Sequence, residues 1–227
     1  ISFFNGYGTE LNMFRPGGRG DDFEDDMDFL ASTTFTLRQN NFAFLDINWT
    51  PLIETRIDNV FVNRWQSGEK KLYTVLNMLS EGIDGKLFAV ENPSGKHYVS
   101  LWNHTNLTTE TENGVAYIKV TSDGWQAGWS GTRREGSVDC IAELPEILKA
   151  KLKGDSVSLN GNANGRILFW KGNPSYKITP KEMRILNDTT IRIRDLFGYY
   201  EGKIVIQLIE NKNLVDENVI ILKGGKP

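Results

Sequence analysis

The chain has few of the residues from which metal sites and nucleophilic sites are usually built. Cys140 is the only cysteine among 227 residues, and His97 and His104 are the only histidines. A disulfide needs two cysteines, and zinc sites and catalytic triads draw on clustered cysteines and histidines. The sequence therefore excludes an intrachain disulfide, and we expect no metal and no cofactor. Cys140 lies in an alternating pattern typical of a strand, which predicts a buried thiol.

A strong charge excess and long apolar runs are also missing. The formal net charge of −3 gives no electrostatic reason to expect nucleic acid as a partner. No apolar run approaches the roughly 18 residues that would suggest a membrane-spanning helix. Hydrophobic residues make up 39% of the chain, and adding its 22 glycines gives an ordinary globular composition. We therefore predict a globular chain with neither a nucleic-acid partner nor a membrane span.

The pattern of residue types changes near residues 49–55. Before that point, residues 1–4 predict one strand, a glycine-rich loop follows up to Glu10, and an acidic helix begins near Asp21. Within the helix, one apolar face is predicted from Phe23, Met27, Leu30, Thr34 and Leu37. A single strand–loop–helix unit cannot bury its own apolar faces, since such units are stable as neighbours in a layered sheet or barrel. Because the chain also opens on Ile1, we expect it to be the tail of a longer protein.

Beyond residue 57 the sequence predicts short strands separated by turns rich in glycine and asparagine. We predict strands at residues 60–65, 71–77, 86–90, 97–102, 105–110, 115–121, 137–144, 155–159, 166–171, 176–178, 189–194, 202–209 and 218–222. Short strands at this spacing are typical of antiparallel β-sandwiches. The predicted fold is mainly β, with a terminal strand–helix unit at 1–57, a β-sandwich at 58–148 and a small immunoglobulin-like sandwich at 149–227.

Glu10 is the one loop carboxylate placed where a barrel enzyme would carry a catalytic group. It follows the predicted first strand, and barrel active sites lie at the carboxyl ends of strands. A glycosidase needs two carboxylates about 5 to 9.5 Å apart. The nearby acids of the helix, by contrast, are explained by capping and by the helix dipole. Glu10 is therefore the catalytic candidate, and a loop residue without a catalytic role is the alternative.

Tryptophans offer a different kind of candidate site. Trp125 and Trp129 are four residues apart, on one face of an extended segment, and Trp102 ends a predicted strand. Aromatic rings stack on the C–H faces of sugars when they are exposed, and they fill sandwich cores when they are buried. Both interpretations stay open from the sequence. The first makes Trp102, Trp125 and Trp129 candidate carbohydrate-binding residues.

Three segments together carry a family resemblance. They are the strand–loop–helix unit with Ala43-Phe-Leu-Asp-Ile-Asn-Trp-Thr-Pro-Leu-Ile, then Val60-Phe-Val-Asn-Arg-Trp, then Leu72-Tyr-Thr-Val-Leu-Asn. In this order they resemble the C-terminal region of bacterial glycoside-hydrolase-like proteins of the α-galactosidase type, which place β-sandwiches after a (β/α)₈ barrel. The barrel strands that carry the acid and the nucleophile in such proteins have no counterpart here. The resemblance therefore implies no catalytic residue in this chain.

The resemblance leads to one functional hypothesis and two alternatives. The first is a non-catalytic C-terminal region of a carbohydrate-active enzyme, which stabilises an upstream barrel domain and contacts glycan. The second is a glycoside hydrolase whose activity needs upstream sequence, so whether this chain counts as an enzyme stays open. The third is a stand-alone glycan-binding or surface adhesion protein. Each hypothesis makes a glycan or oligosaccharide the expected partner and an extracellular or periplasmic location the expected one.

Overall fold

The computed structural model describes residues 2–8, 20–124, 138–160, 165–184 and 188–222, with side chains of the first helix from residue 27 onward. Within these ranges the fold is mainly β, as predicted. The helices are α1 (Gly20–Gln39), α2 (Asn41–Phe44) and α3 (Ile193–Phe197). In the described part of the chain, no helix combines the length and the apolar character needed to cross a membrane.

The first sandwich is built from two antiparallel sheets. Its strands are β1 (Val60–Ser67), β2 (Lys70–Asn77), β3 (Ile83–Val90), β4 (Lys96–Ser100), β5 (Thr105–Leu107), β6 (Thr109–Glu112), β7 (Val115–Ser122) and β8 (Val138–Pro145). One sheet has the order β1-β2-β8-β4-β5 and the other has the order β3-β7-β6. Between them lies an apolar core that includes Val62, Leu87, Phe88, Ile118 and Ile141. The predicted antiparallel sandwich is confirmed.

The second sandwich follows the same plan. Its strands are β9 (Lys149–Lys153), β10 (Ser156–Asn160), β11 (Arg166–Lys171), β12 (Lys181–Met183), β13 (Thr189–Arg192), β14 (Gly202–Glu210) and β15 (Asn213–Leu222). The sheets have the orders β13-β10-β9 and β12-β11-β14-β15. Inward-facing Ile167, Phe169, Ile204, Ile206 and Leu208 are fully buried between them.

A third buried cluster joins the two sandwiches, and we call it the shared junction. It is formed by the outer faces of the β1-β2-β8-β4-β5 and β12-β11-β14-β15 sheets together with the N-terminal segment, and its members include Phe3, Trp65, Leu72, Cys140, Trp170 and Val205. Both sheets are thus buried on two faces, which explains why seven of the eight residues of β8 are buried. The predicted boundaries after residues 57 and 148 stay a prediction, but side chains from all three predicted segments meet in this cluster.

Cys140 belongs to the shared junction. Its side chain is fully buried, as predicted from the alternating pattern around it. Burial raises the pKa of the thiol above its usual range, so the thiolate that would act as a nucleophile is disfavoured.

The N-terminal segment differs from its prediction. Residues 2–6 form turns rather than a strand, closed by hydrogen bonds from Asn5 N to Ser2 O (3.1 Å) and from Gly6 N to Phe3 O (2.9 Å). The carbonyl oxygen of Phe4 instead accepts a 2.7 Å hydrogen bond from Thr74 Oγ1, so this piece is fastened to β2 by a side chain. The apolar run looked like a strand because buried turns and buried strands share the same composition.

Helix α1 packs with a face that differs from the predicted one. Thr33 and Thr36 are its most buried described residues, and Asn40, directly after its last residue, is buried too, whereas the described members of the predicted stripe are only partly buried. Thr33 Oγ1 donates to Leu30 O at 2.9 Å, and Asn40 Nδ2 donates to Thr36 O at 2.6 Å. These polar groups can be buried at low cost because helix carbonyls satisfy them. A search for apolar residues at helical spacing does not detect a helix face whose buried residues are polar.

Two smaller predictions were wrong in the second sandwich. The predicted strand at 176–178 is a turn. The strand that pairs with β11 at this edge of the β12-β11-β14-β15 sheet is β12, which begins a few residues later. The predicted strand at 189–194 ends at Arg192, where α3 begins.

Candidate functional site

A cleft of about 200 Å³ opens between α1 and two turns of the β-structure. One turn follows β4 and the other follows β11. We call it the α1 cleft, and its principal lining residues are Asp28, Phe35, Trp102, His104, Asn173 and Tyr176. Its walls therefore combine a helix with loops from both sandwiches, and the cleft exists only because the three segments meet.

Aromatic rings line the cleft, among them those of Trp102 and Tyr176. Trp102 packs against Phe3 of the N-terminal turns and Phe29 of α1, with ring centroids 5.6 and 5.3 Å away. These two contacts hold the indole in place. Tyr176 is 57% exposed, and Lys177 Nζ lies over one face of its ring at 5.5 Å from the centroid, so the other face is the one available to a ligand. Ring faces of this kind stack on apolar surfaces of a ligand, including the C–H faces of sugars.

The turn that carries Trp102 is held by a buried carboxylate. Asp139 accepts a 2.8 Å hydrogen bond from Ser100 Oγ, a 2.6 Å bond from Cys140 N and a further bond from the backbone of Trp102. Ser100 Oγ in turn accepts from Asn103 N at 3.0 Å. Burial raises the pKa of Asp139 to about 6, and the bond from Ser100 offsets part of that rise. The position of the indole therefore depends on β8 as well as on its own turn.

Polar groups at the mouth of the cleft connect α1 to the turn after β11. Asp28 accepts hydrogen bonds from Tyr176 OH at 2.9 Å and from Lys177 Nζ at 2.8 Å. The bond from Lys177 and then the bond from Tyr176 lower the pKa of this carboxyl group. Asp28 is thus ionised at neutral pH and holds the Tyr176 ring beside the cleft.

The inner wall of the cleft contains a buried histidine. His104 has a φ of +47°, a conformation that is uncommon for residues other than glycine. Its Nδ1 lies 2.8 Å from Glu217 Oε1, and Glu217 is fully buried. Glu217 Oε2 accepts from Gln207 Nε2 at 2.8 Å, and Gln207 Oε1 accepts from Trp170 Nε1 at 3.0 Å. A histidine held by a carboxylate in this way can donate or accept one hydrogen bond through its other nitrogen.

The other histidine makes a parallel contact outside the cleft. His97 Nε2 lies 2.7 Å from Asp216 Oδ1, and Asp216 Oδ2 accepts from the backbone of Ile147 and Leu148 at 2.9 and 2.7 Å. Consecutive acids of β15 therefore each bind one histidine of the first sandwich. These contacts fix the second sandwich against the first and so fix the inner wall of the cleft.

The described part of the chain contains only one of the site residues predicted from the sequence, and their roles stay predictions. Trp102 lies in the α1 cleft, in a turn just after the strand where it was predicted. Glu10, Trp125 and Trp129 lie outside the described residues. The sequence did not identify three residues of the cleft, which are Tyr176, Asp28 and His104. Its patterns placed Tyr176 in a strand and explained Asp28 as an acid of the first helical turns. The scarcity of histidine was the one signal that could have drawn attention to His104.

The chemistry available in the α1 cleft favours binding. A glycosidase requires two carboxylates at the scissile bond, and among the described residues that line the cleft Asp28 is the only acid. Asp28 is already engaged by Lys177 and Tyr176. In the described ranges, no group of three or more histidine, cysteine or acidic side chains could hold a metal ion. The cleft thus offers rings, an amide, an imidazole and hydroxyl groups.

No protein-family model matches the chain, and no curated protein is significantly similar to it in sequence.

Proposed function

We propose that this chain is a non-catalytic, carbohydrate-associated region that contacts glycan in the α1 cleft. The observation that carries the proposal is the exposed ring of Tyr176 in the same cleft as Trp102, beside Asn173 and the imidazole of His104. A sugar presents an apolar C–H face and a rim of hydroxyl groups, and this combination of rings and polar groups matches both.

The proposal includes the architecture that the sequence resemblance implies. The chain would be the C-terminal region of a bacterial carbohydrate-active enzyme, with its helix segment against an upstream barrel domain and an extracellular or periplasmic location. Support comes from the way α1 and residues 2–6 lie on the β-structure, since a segment fixed in this manner can transmit stability to a neighbouring domain. The absence of a second acid among the described lining residues of the cleft supports a non-catalytic role.

The test is glycan binding by the wild-type chain and by a Tyr176→Ala variant, measured on a glycan array and then by calorimetry. Stacking on one ring is worth about 1 kcal/mol, so Tyr176→Ala should weaken binding by about five- to tenfold. Tyr199→Ala is the matched control, because Tyr199 is 75% exposed and does not line the cleft. Equal affinities of the two variants would refute the α1 cleft as the glycan site.

A panel of aryl glycosides separates this proposal from the hydrolase alternative. The proposal expects no turnover by the chain. Turnover that is abolished by Glu10→Gln would instead establish a catalytic role for Glu10. Glycan binding without any effect of an added upstream barrel domain would favour the stand-alone adhesion protein.

A further inference from the structure

A second cavity, of about 240 Å³, lies where the start of α2 meets the β1–β2 hairpin and β15. We call it the Lys70 cavity. Its principal lining residues are Phe42, Ala43, Lys70, Pro145, Leu214 and Val215. It shares no lining residue with the α1 cleft, so it is independent of the proposed glycan site. Most of its wall surface is apolar, but the lining also includes Asn40, Ser67, Asn213 and the acid Glu69 beside the amine of Lys70.

The hydrogen-bond partners of that amine are unusual. Lys70 Nζ donates to Asn40 Oδ1 and to the carbonyl oxygen of Leu214, and both acceptors are neutral. In the described ranges no ion pair involves Lys70, whereas the neighbouring Lys71 pairs with Glu91 at 2.8 Å and with Glu143 at 3.6 Å. A buried ammonium is normally balanced by a carboxylate. The groups bonded to Lys70 therefore suit an uncharged amine, and burial outweighs the attraction of the buried Glu217 carboxylate, which raises the pKa of Lys70.

The two acceptors match the neutral form of the group. An uncharged amine has two N–H bonds and one lone pair, and the two N–H bonds are satisfied by Asn40 and Leu214. Burial lowers the pKa of Lys70 to about 7, so about half of the population carries the lone pair at neutral pH. An ordinary lysine carries a lone pair in only about one molecule in 2,500 at that pH. Lysines in apolar pockets become nucleophiles for this reason.

We propose that the Lys70 cavity binds a small apolar aldehyde or ketone, with which Lys70 forms an imine. The lone pair of Nζ attacks the carbonyl carbon, and the C=O π electrons move to oxygen to give a carbinolamine. Both N–H protons leave the nitrogen as the oxygen departs as water, and a C=N double bond forms. The step consumes one amine and one carbonyl compound, releases one water molecule, and involves no change of oxidation state.

The lining selects the class of compound. Phe42, Ala43, Pro145, Leu214 and Val215 give the cavity a mostly apolar wall, so an alkyl or aryl substituent gains free energy by leaving water. A polyhydroxylated aldehyde would lose hydrogen bonds to water there and gain few in return. The site therefore prefers an apolar carbonyl compound to an open-chain sugar.

The test uses wild-type protein and two aldehydes of similar size, isobutyraldehyde and glyceraldehyde. Each is added at pH 7 with sodium cyanoborohydride, which reduces the imine to a stable secondary amine. Chymotryptic peptides are then quantified by mass spectrometry over time. Lys151, which is exposed on β9, is the internal reference. We expect isobutyraldehyde to label Lys70 at least tenfold faster than Lys151, and we expect glyceraldehyde to reduce that ratio at least threefold.

Two results would overturn the proposal. Labelling of Lys70 no faster than that of Lys151 would mean that the amine is unreactive, and the same rate ratio for both aldehydes would mean that the cavity selects nothing. Lys70→Arg and Lys151→Arg variants provide the matched controls. Lys70→Arg should remove the fast-labelled peptide and leave all other rates unchanged, whereas Lys151→Arg should leave the labelling of Lys70 intact.

Discussion

The interiors of the two sandwiches and the shared junction between them are built from different chemistry. Each sandwich interior is filled mainly by aliphatic and phenyl side chains, such as Phe88 in the first and Phe169 in the second. The first also contains Tyr73 and Tyr98, and Tyr98 OH donates to the buried Glu143. The shared junction also contains apolar residues, but carboxylates, imidazoles and amides are buried beside them. Asp216 and Glu217 are fully buried there, and each binds one histidine.

The difference shows how the two kinds of interface are specified. Apolar cores gain stability in proportion to the area removed from water and tolerate many arrangements of similar volume. Buried polar groups are stable only when each donor meets an acceptor, so they select one relative position. The sandwiches should therefore supply most of the folding free energy, and the junction should determine how they are placed and hence where the clefts lie.

The largest expected loss of stability follows from a substitution in a sandwich interior. Phe169→Ala leaves a cavity where a fully buried ring stood, and such changes cost about 4 kcal/mol of unfolding free energy. Urea denaturation measures it. Phe61→Ala is the matched control, because Phe61 is 39% exposed on β1 and should cost about 1 kcal/mol. Similar losses in both variants would contradict the assignment of Phe169 to the core.

A substitution in the shared junction should lower the free energy of unfolding by almost as much, but for a different reason. Glu217→Leu removes the carboxylate that holds His104 Nδ1, and it removes one of the two acceptors of Gln207 Nε2, which keeps Gln39 Oε1 at 3.3 Å. Removing one partner of a buried pair costs about 3 kcal/mol. A double-mutant cycle with His104→Leu isolates the pair, and we expect the double variant to recover part of the loss. Strict additivity of the two single losses would show that the contact contributes nothing.

The pH dependence of stability should reveal the buried amine of Lys70. Its folded-state pKa of about 7 lies below the unfolded value near 10.4, so between these values the unfolded chain holds a proton that the folded chain has released. Stability from this group is therefore lowest below pH 7 and rises with pH. Relative to a Lys70→Met variant, the wild type should gain about 3 kcal/mol between pH 7 and pH 9.5. Urea midpoints at the two pH values measure the difference, and a constant difference would contradict the lowered pKa.

The smallest expected losses of stability come from replacing one turn glycine in each sandwich, and the two losses should be equal. Gly114 and Gly154 occupy turns with φ of +80° and +60°, and a Cβ at either position would meet no atom within 4 Å. Alanine would therefore be disfavoured by the backbone conformation alone, at about 1 kcal/mol in each turn. Thermal or urea unfolding of the two single variants tests this. A much larger loss at one position would indicate a contact that the other sandwich lacks.

Much of the β-structure could be predicted because its signals are local. Alternating side chains and the turn at Gly68 predict the β1–β2 hairpin, and the observed register pairs Val60 with Asn77 and Ser67 with Lys70. Asn113-Gly114 likewise marks the turn between β6 and β7. Such signals lie within a few residues of one another, so short-range sterics and pleat periodicity are sufficient to recognise them.

The α1 cleft could not be predicted because its contacts are distant in sequence. Tyr176 and Asp28 are 148 residues apart, and Glu217 is 113 residues from His104. Each of these side chains had an adequate local explanation, as a strand residue, as an acid of the first helical turns or as a residue near a strand end. Trp102 could be named as a candidate because tryptophan is a residue type that often binds ligands. The residues that surround it in the cleft come from distant parts of the chain and could not be predicted.

Sequence alone determined that this protein is mainly β, where most of its strands lie, and that a lone thiol would be buried. Those properties follow from side-chain periodicity and composition, which act over short stretches of chain. Only the tertiary structure decided that the helix segment and both sandwiches share one junction. It also decided that an exposed tyrosine, a carboxylate-bound histidine and a lysine bonded to two neutral acceptors border two separate cavities. The physical reason is that hydrogen-bond satisfaction and burial of these groups depend on partners brought together by folding, which no local pattern encodes.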